Sequence, residues 1–270
     1  MARILAIANQ KGGVGKTTTS VNLAASLARY KQRVLLVDFD PQGNATMGSG
    51  VNKQQCRYTT YHFLTDRIGI DQVLVDSAHC NYQVLPSNGD LVAAEVELMQ
   101  ASEREQRLAI ELKKIAHKFD YILIDCPPSL NMLTVNAFVA SDGVLIPMQC
   151  EYYALEGLSA LNNTIMKISR QINPRLQIEG ILRTMYDPRS SLTNAVSAQL
   201  RKYFDDKIYR VSIPRNVRLA EAPSHGMPAL AYDKNSKGAI AYLALAVEIL
   251  KRANTDAQIK GATGAQTNDQ

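Results

Sequence analysis

The 270-residue chain has no uncharged apolar run of 18 residues, so nothing in it reads as a membrane span. It has few cysteines, Cys56, Cys80, Cys126 and Cys150, and no C-x-x-C pair. They read as ordinary residues of a reducing cytosol, which argues against a disulfide frame or a zinc site. A signal peptide is not expected, because a strand begins by about residue 3 and Gln10-Lys11 cut the first apolar run short. Neither an internal repeat nor a linker divides the chain. After Asn254, large aliphatic residues run out except for Ile259. Such a stretch cannot bury enough surface to offset its ordering entropy. The expectation is one domain over residues 1–253 and a disordered tail over 254–270.

Acidic residues are scarce in one region. The net charge is +5, but between Arg170 and Arg218 ten Lys/Arg face four Asp/Glu. That local surplus exceeds the whole-chain value, so the remainder is near neutral. A charge asymmetry of this kind suggests a polyanionic partner.

An apolar fraction of 46% is ample for a core. Strands are expected at Arg3–Ala8, Arg33–Asp38, Tyr82–Leu85, Tyr121–Asp125, Gly143–Met148, Ile178–Met185 and Tyr209–Ile213. Val34-Leu35-Leu36-Val37 and Ile122-Leu123-Ile124 do not alternate, as befits strands covered on both faces. Helical patterns fall near 16–30, 90–118, 131–141, 152–172, 192–206 and 237–252. The β/α alternation argues for an α/β fold: a three-layer, mostly parallel twisted sheet with helices on both faces.

The loop between the first strand and first helix carries most information. Lys11-Gly12-Gly13-Val14-Gly15-Lys16-Thr17-Thr18 follows Ile4–Ala8, and a strand–glycine loop–helix is the context a phosphate-binding loop requires. Glycines let successive N–H groups turn inward around a polyphosphate, and the helix N-terminus adds positive potential. Lys16 would neutralise the β- and γ-phosphates and Thr17 would ligate Mg²⁺. The loop departs from G-x-x-x-x-G-K-[ST], however. Gln10 stands at the first glycine position, and a second lysine, Lys11, stands beside it. The competing readings are a glycine-rich turn with solvated lysines, and nucleotide binding without hydrolysis.

Two acidic strand ends complete a nucleotide site. In Val37-Asp38-Phe39-Asp40-Pro41-Gln42-Gly43-Asn44, period two puts both aspartates on one side while the strand lasts. One could hold a metal-bound water and the other orient an attacking water. Asp125, in Ile124-Asp125-Cys126-Pro127-Pro128, closes an apolar strand and suits holding Mg²⁺ through water. Each aspartate has a plainer reading as a strand-end turn former. Glu151 has one too, as a first-turn partner of a helix dipole. In Ile213-Pro214-Arg215-Asn216-Val217-Arg218 a proline ring and an asparagine amide could cover and read an adenine edge, or simply form a turn. Arg189 and Arg218 are loop arginines of the basic region, with solvated surface charge as the default.

Together, the lysine-bearing loop, V-D-F-D-P-Q-G-N, I-D-C-P-P-S, C-E-Y-Y-A-L-E-G-L and I-P-R-N-V-R-L-A-E-A-P-S resemble the ParA/Soj family of chromosome-partitioning ATPases, P-loop proteins with a deviant Walker loop. The resemblance runs from about residue 2 to 252. It implies that Lys11 is the signature lysine, reaching across an ATP-sandwich homodimer to the partner's phosphates, a cation in trans like an arginine finger. It implies that Lys16 and Thr17 serve phosphate and Mg²⁺, that Asp40 positions the attacking water, and that Asp125 holds metal water. Asp38 is carried as a further metal-water candidate. Pro214 and Asn216 match adenine contacts. Arg189 and Arg218 match positions used for DNA binding without sequence preference, and Arg215, Lys202 and Lys207 extend that candidate set. The implied cofactors are ATP and Mg²⁺. The implied partners are non-specific DNA and a ParB-type centromere-binding protein, in a bacterial cytoplasm on the nucleoid. Only ten residues precede Lys11, so the N-terminal helix-turn-helix domain of some plasmid members is not expected.

Three other readings share parts of this pattern. A membrane-positioning ATPase similar to MinD needs a cationic amphipathic C-terminal anchor, whereas Ala239–Leu250 looks like core and the tail is polar. An iron–sulfur carrier needs paired cysteines, and a nucleotide-dependent synthetase stands beside it as a metabolic relative. An ATPase positioning flagellar, secretory or division-site cargo shares the site chemistry and is separated only by the later motifs.

Overall fold

The computed structural model describes residues 2–65 and 68–265, with side-chain surroundings through residue 255. Its strands are β1 (Arg3–Ile7), β2 (Val34–Asp38), β3 (Val75–Asp76), β4 (Gln83–Leu85), β5 (Tyr121–Asp125), β6 (Gly143–Gln149), β7 (Gln177–Tyr186) and β8 (Ile208–Pro214). They form one sheet in the order β3-β4-β2-β5-β1-β6-β7-β8. Pairing is parallel except for β3 on β4. The helices are α1 (Lys16–Arg29), α2 (Asn44–Gly48), α3 (Thr60–Leu64), α4 (Leu91–Gln100), α5 (Arg107–Ile115), α6 (Met132–Ala140), α7 (Ala154–Gln171), α8 (Ser191–Phe204), α9 (Val217–Glu221), α10 (Ala229–Tyr232) and α11 (Lys237–Ala265).

Side-chain alternation along the central strands builds two cores. Ala6, Leu35, Val37, Ile122 and Ile124 face one side, under α3 to α8. Leu5, Ile7, Leu36 and Leu123 face the other, under α1, α2 and α9 to α11. Both faces are therefore covered, which explains why the strands read as unbroken apolar runs.

The expected strands stand within a residue or so of their places, and β3, a two-residue edge strand, was not expected. One expected helix, 90–118, is two. After α4 the backbone extends at Ala101, and Glu103 takes a positive φ of 54° before α5 begins. The polar run Ser102-Glu103-Arg104-Glu105-Gln106 offers no apolar stripe to carry a helix through. The short helices α2, α3, α9 and α10 have too few turns to show periodicity. The last helix runs past residue 252 to Ala265, across much of the stretch expected as a tail, while 266–270 lie outside the described residues. Within α11, Ala239, Tyr242, Leu245, Ala246 and Ile249 are buried, and Tyr242 Oη meets Thr19 Oγ1 of α1 at 3.0 Å. No described helix is long and apolar enough to cross a membrane.

Candidate functional site

Parallel strands aim their C-terminal ends at one edge, and the phosphate loop, Asp38, Asp40 and Asp125 all collect there. Ile7, Asp125 and Asp38 are register partners on β1, β5 and β2. Gly13 and Gly15 take φ of 74° and 88°, a region open to glycine but strained for other residues. A Cβ at Gly12 or Gly13 would meet nothing within 4 Å, so the space beside these glycines is open. Neighbouring strands brace the loop: Thr184 Oγ1 donates to Val14 O at 2.8 Å and Gln149 Nε2 to Gly13 O at 3.2 Å.

The two lysines behave differently. Lys16 is buried, with its Nζ donating to Lys11 O at 3.3 Å. Burial pulls its pKa down, against the opposing fields of Asp125 and Asp40. Lys11 points away from the loop, and its half-exposed ammonium pairs with the half-exposed carboxylate of Glu151. Glu151 lies in the loop before α7, not in a first helical turn, so its partner is Lys11 and not a helix dipole.

Asp125 is fully buried and takes hydrogen bonds from Thr17 Oγ1 at 2.8 Å and Ser20 Oγ at 2.7 Å. Burial first, and then repulsion from Asp38, push its pKa up to about 7. Asp38 is equally buried and accepts from Thr46 N (2.7 Å) and Thr46 Oγ1 (2.6 Å). Asp40 N donates to Asp38 Oδ1 at 3.3 Å. Burial raises its pKa to about 6 in spite of these donors. Asp38 therefore fastens the 40–46 turn to the sheet. Asp40 is partly exposed, its Oδ1 accepting from Gln42 N at 2.9 Å.

The arrangement fits a polyphosphate with a divalent cation. The glycine loop opens into the N-terminus of α1, and buried Lys16 supplies charge. Thr17 Oγ1 and the Asp125 carboxylate bring hard oxygen donors together at 2.8 Å. Among the described residues no group of three or more His, Cys, Asp or Glu is arranged to hold a metal ion, so phosphate oxygens and water would complete the coordination. Farther along, Pro214 ends β8 opposite Tyr186, and Asn216 precedes α9. The Asn216 Oδ1 is buried without a hydrogen-bond partner, an acceptor that calls for a ligand N–H.

The basic region does not form one surface. Arg183 is buried, donating to Ser197 Oγ and to the Tyr209 and Arg210 carbonyls. Arg189, Arg215 and Arg218 follow the C-terminal ends of β7 and β8, on the nucleotide side. Lys202 and Lys207 sit at the opposite end of β8, about 20 Å away for a seven-residue strand. Arg189 folds onto Asp187 (2.9 Å), lowering that carboxyl to about 2, and Arg218 pairs with Glu221 (2.8 Å) and Asp233 (3.4 Å).

Ser20, Thr46, Thr184 and Gln149 are site residues that motif reading missed. Only Ser20 had a legible signal, lying one helical turn beyond Thr17 on the same face.

A family model described as an AAA domain matches residues 2–178. The chain is 52% identical over 249 residues to the sporulation initiation inhibitor protein Soj of Bacillus subtilis, covering 92% of this chain and 98% of that one. It is 51% identical over 252 residues to the chromosome partitioning protein ParA of Myxococcus xanthus, covering 93% and 89%. Among solved structures, one titled cobyrinic acid a,c-diamide synthase from Mycobacterium smegmatis, with bound ADP and magnesium, aligns with a TM-score of 0.83. Its identity is 35%, over 95% of this chain and 97% of that one. The chain belongs to the ParA/Soj family of P-loop ATPases.

The raised carboxyl pKa values give a pH signature. A group whose folded pKa exceeds its unfolded value stabilises fully below the unfolded pKa and loses that contribution as pH rises through the folded pKa. For Asp125 that window runs from about 4 to about 7. Asp125→Asn is expected to remove up to about 1.4 kcal/mol per pH unit of this slope from the ligand-free protein. Urea midpoints at pH 5.5 and 8 for both proteins check it, and an unchanged difference would show that Asp125 titrates normally.

Proposed function

We propose that this ParA/Soj-family chain is an ATP-hydrolysing switch for chromosome or plasmid segregation. In this reading it grips DNA without sequence preference as an ATP-bound sandwich dimer. It lets go when a ParB-type partner stimulates hydrolysis. One observation carries the reading: of two loop lysines, Lys16 is buried, while Lys11 is half exposed and paired with the half-exposed carboxylate of Glu151. A lysine so placed serves phosphates other than its own.

The residues divide the work. The loop amides and Lys16 bind the β- and γ-phosphates of ATP. Thr17 Oγ1, with Asp125 through water, would hold Mg²⁺, which supplies charge neutralisation on the transferring phosphoryl group. Asp38 keeps the 40–46 turn in place, and Asp40 at its start orients the attacking water. Pro214 covers the adenine and the orphan Asn216 Oδ1 accepts from its amine. Lys11 exchanges Glu151 for the γ-phosphate bound by the other subunit, the role of an arginine finger, worth about 10³–10⁵ in rate. Such a dimer doubles the basic surface offered to DNA, and hydrolysis ends the dimer and the grip together. The setting that follows is cytoplasmic and nucleoid-associated.

The deciding experiment is DNA binding with ATP, ADP and no nucleotide at two salt concentrations. Binding should appear only with ATP and fall steeply with salt, with a slope of about −0.9 per phosphate contacted. Arg189→Ala with Arg218→Ala should weaken all sequences alike and flatten that slope by about 2. Nucleotide-independent or sequence-selective binding would refute the switch.

Lys11→Ala should keep ATP binding while losing the ATP-dependent dimer and at least about 10³-fold of stimulated turnover. Sedimentation decides, since an intact dimer removes the trans role. Asp40→Ala should bind ATP and DNA normally yet stay on DNA after a chase, because no water is positioned. Ordinary release and turnover would take Asp40 out of the mechanism.

A further inference from the structure

Helix α4 carries more apolar surface than the fold uses. Leu91, Ala94 and Leu98 are buried against the core beneath it. On its far side Val92, Val96 and Met99 are 55%, 59% and 62% exposed. Their i, i+4, i+7 spacing makes one stripe. At 100° per residue, that stripe lies about 140° around the helix from the buried side chains.

The stripe is rimmed by negative charge. Glu95 follows one edge and Glu97 the other. Between residues 88 and 105 the chain has five carboxylates (Asp90, Glu95, Glu97, Glu103, Glu105) and one arginine. That arginine, Arg104, is itself paired with Glu105 at 2.9 Å. In a chain of net charge +5 this is a local inversion of sign. An apolar stripe with acidic margins is complementary to an apolar face with cationic margins. It repels nucleic acid and anionic lipid. A two-fold contact with a second copy would set the same acids against each other.

The stripe is also wired to the nucleotide site. Asn131 Nδ2 donates to Glu95 Oε2 at 3.1 Å, and Asn131 Oδ1 caps α6 by accepting from Thr134 N at 3.1 Å. Residues 126–131 form the loop that leaves Asp125, whose carboxylate holds Thr17 and Ser20. A molecule seated on α4 would lie one hydrogen bond, Glu95–Asn131, from the far end of the Asp125 loop.

We propose that the Val92–Val96–Met99 face of α4 is the docking surface for a cationic amphipathic helix of a partner protein, and that docking acts on the Asp125 loop through the Glu95–Asn131 hydrogen bond. The surface is inferred from exposure and charge. Its regulatory consequence rests on the reading of the chain as a partner-stimulated switch.

The test uses the full chain and the double variant Val96→Ser, Met99→Ser, whose side chains are exposed and outside the nucleotide site. The first arm is fluorescence anisotropy with a labelled 18-residue helical peptide bearing leucines on one face and lysines on the other. A control peptide carries glutamates in place of the lysines. The lysine peptide should bind the wild-type chain and bind the double variant at least tenfold more weakly, and the glutamate peptide should not bind. Equal binding to both proteins, or equal binding of both peptides, overturns the surface. A change in self-association of the nucleotide-free double variant in sedimentation also overturns it, since the occupant would then be a second copy. The second arm is ATP turnover with the DNA-bound partner. Basal turnover should be unchanged in the double variant, and half-stimulation should need at least tenfold more partner. Glu95→Ala should bind the lysine peptide within a few-fold of wild type yet lose stimulation, and stimulation retained there overturns the coupling. If the wild-type chain is not stimulated at all, the functional reading falls, while the peptide arm still decides the surface.

Discussion

The nucleotide end of this protein depends on two carboxylates that the sheet forces together. Asp38 and Asp125 close adjacent parallel strands in register, and both are fully buried. Burial is the main reason both carboxyl pKa values are raised, and at Asp125 repulsion from Asp38 adds to it. The surrounding structure answers this cost. Thr46 is drawn to Asp38 by backbone and hydroxyl, which pins the 40–46 turn. Thr17 and Ser20 are drawn to Asp125, which pins the first turn of α1. Lys16 brings a buried positive charge to the same place. The site is thus under-supplied with positive charge until a cation arrives, and a divalent ion relieves what burial imposed.

The two lysines differ by the strength of what holds them. Lys16 is enclosed; its desolvated ammonium donates to a carbonyl and lies in the field of Asp125 and Asp40. Lys11 is held by one half-exposed ion pair. Pairs of that kind are worth about 0–1 kcal/mol in water. A charge-assisted hydrogen bond to a desolvated phosphate is worth about 1.5–3 kcal/mol. In the proposed switch, the balance would favour release from Glu151 when a second subunit presents its phosphates, and the tether when none does. A pair this exposed would hold Lys11 without locking it.

The fold was legible because its central strands are covered on both faces and its helices are amphipathic. The loop was legible because glycines and lysine at that spacing serve one kind of chemistry. The sequence misled where the signal was local or long-range. The break between α4 and α5 rests on the extended Ala101 and the positive-φ Glu103, within a polar run that reads equally as an exposed helical face. The Lys11–Glu151 pair spans 140 residues. Thr46 and Thr184 act through hydrogen bonds whose partners are set only by tertiary placement. Charge counting found the basic region but could not see that Arg183 points inward.

Splitting that basic region changes how DNA would be held. Arg189 and Arg218 already have carboxylate partners at 2.9 and 2.8 Å. Binding a phosphate means trading one anion for another, and because these pairs are exposed the trade costs little and also gains little. Lys202 and Lys207 stand at the other end of β8, too far for one phosphate cluster to use both groups. Under the proposed function, each copy of the chain would offer DNA a weak, divided set of contacts. Weakness of this kind suits a switch. When two copies are joined, the second set of contacts becomes intramolecular, and avidity can exceed single-copy affinity by about 10²–10⁴. A strongly basic monomer would stay on DNA whatever its nucleotide. In the proposed switch, a monomer whose arginines are half-satisfied by its own carboxylates would make retention on DNA depend on the dimer, and so on the phosphates that Lys11 would leave Glu151 to meet.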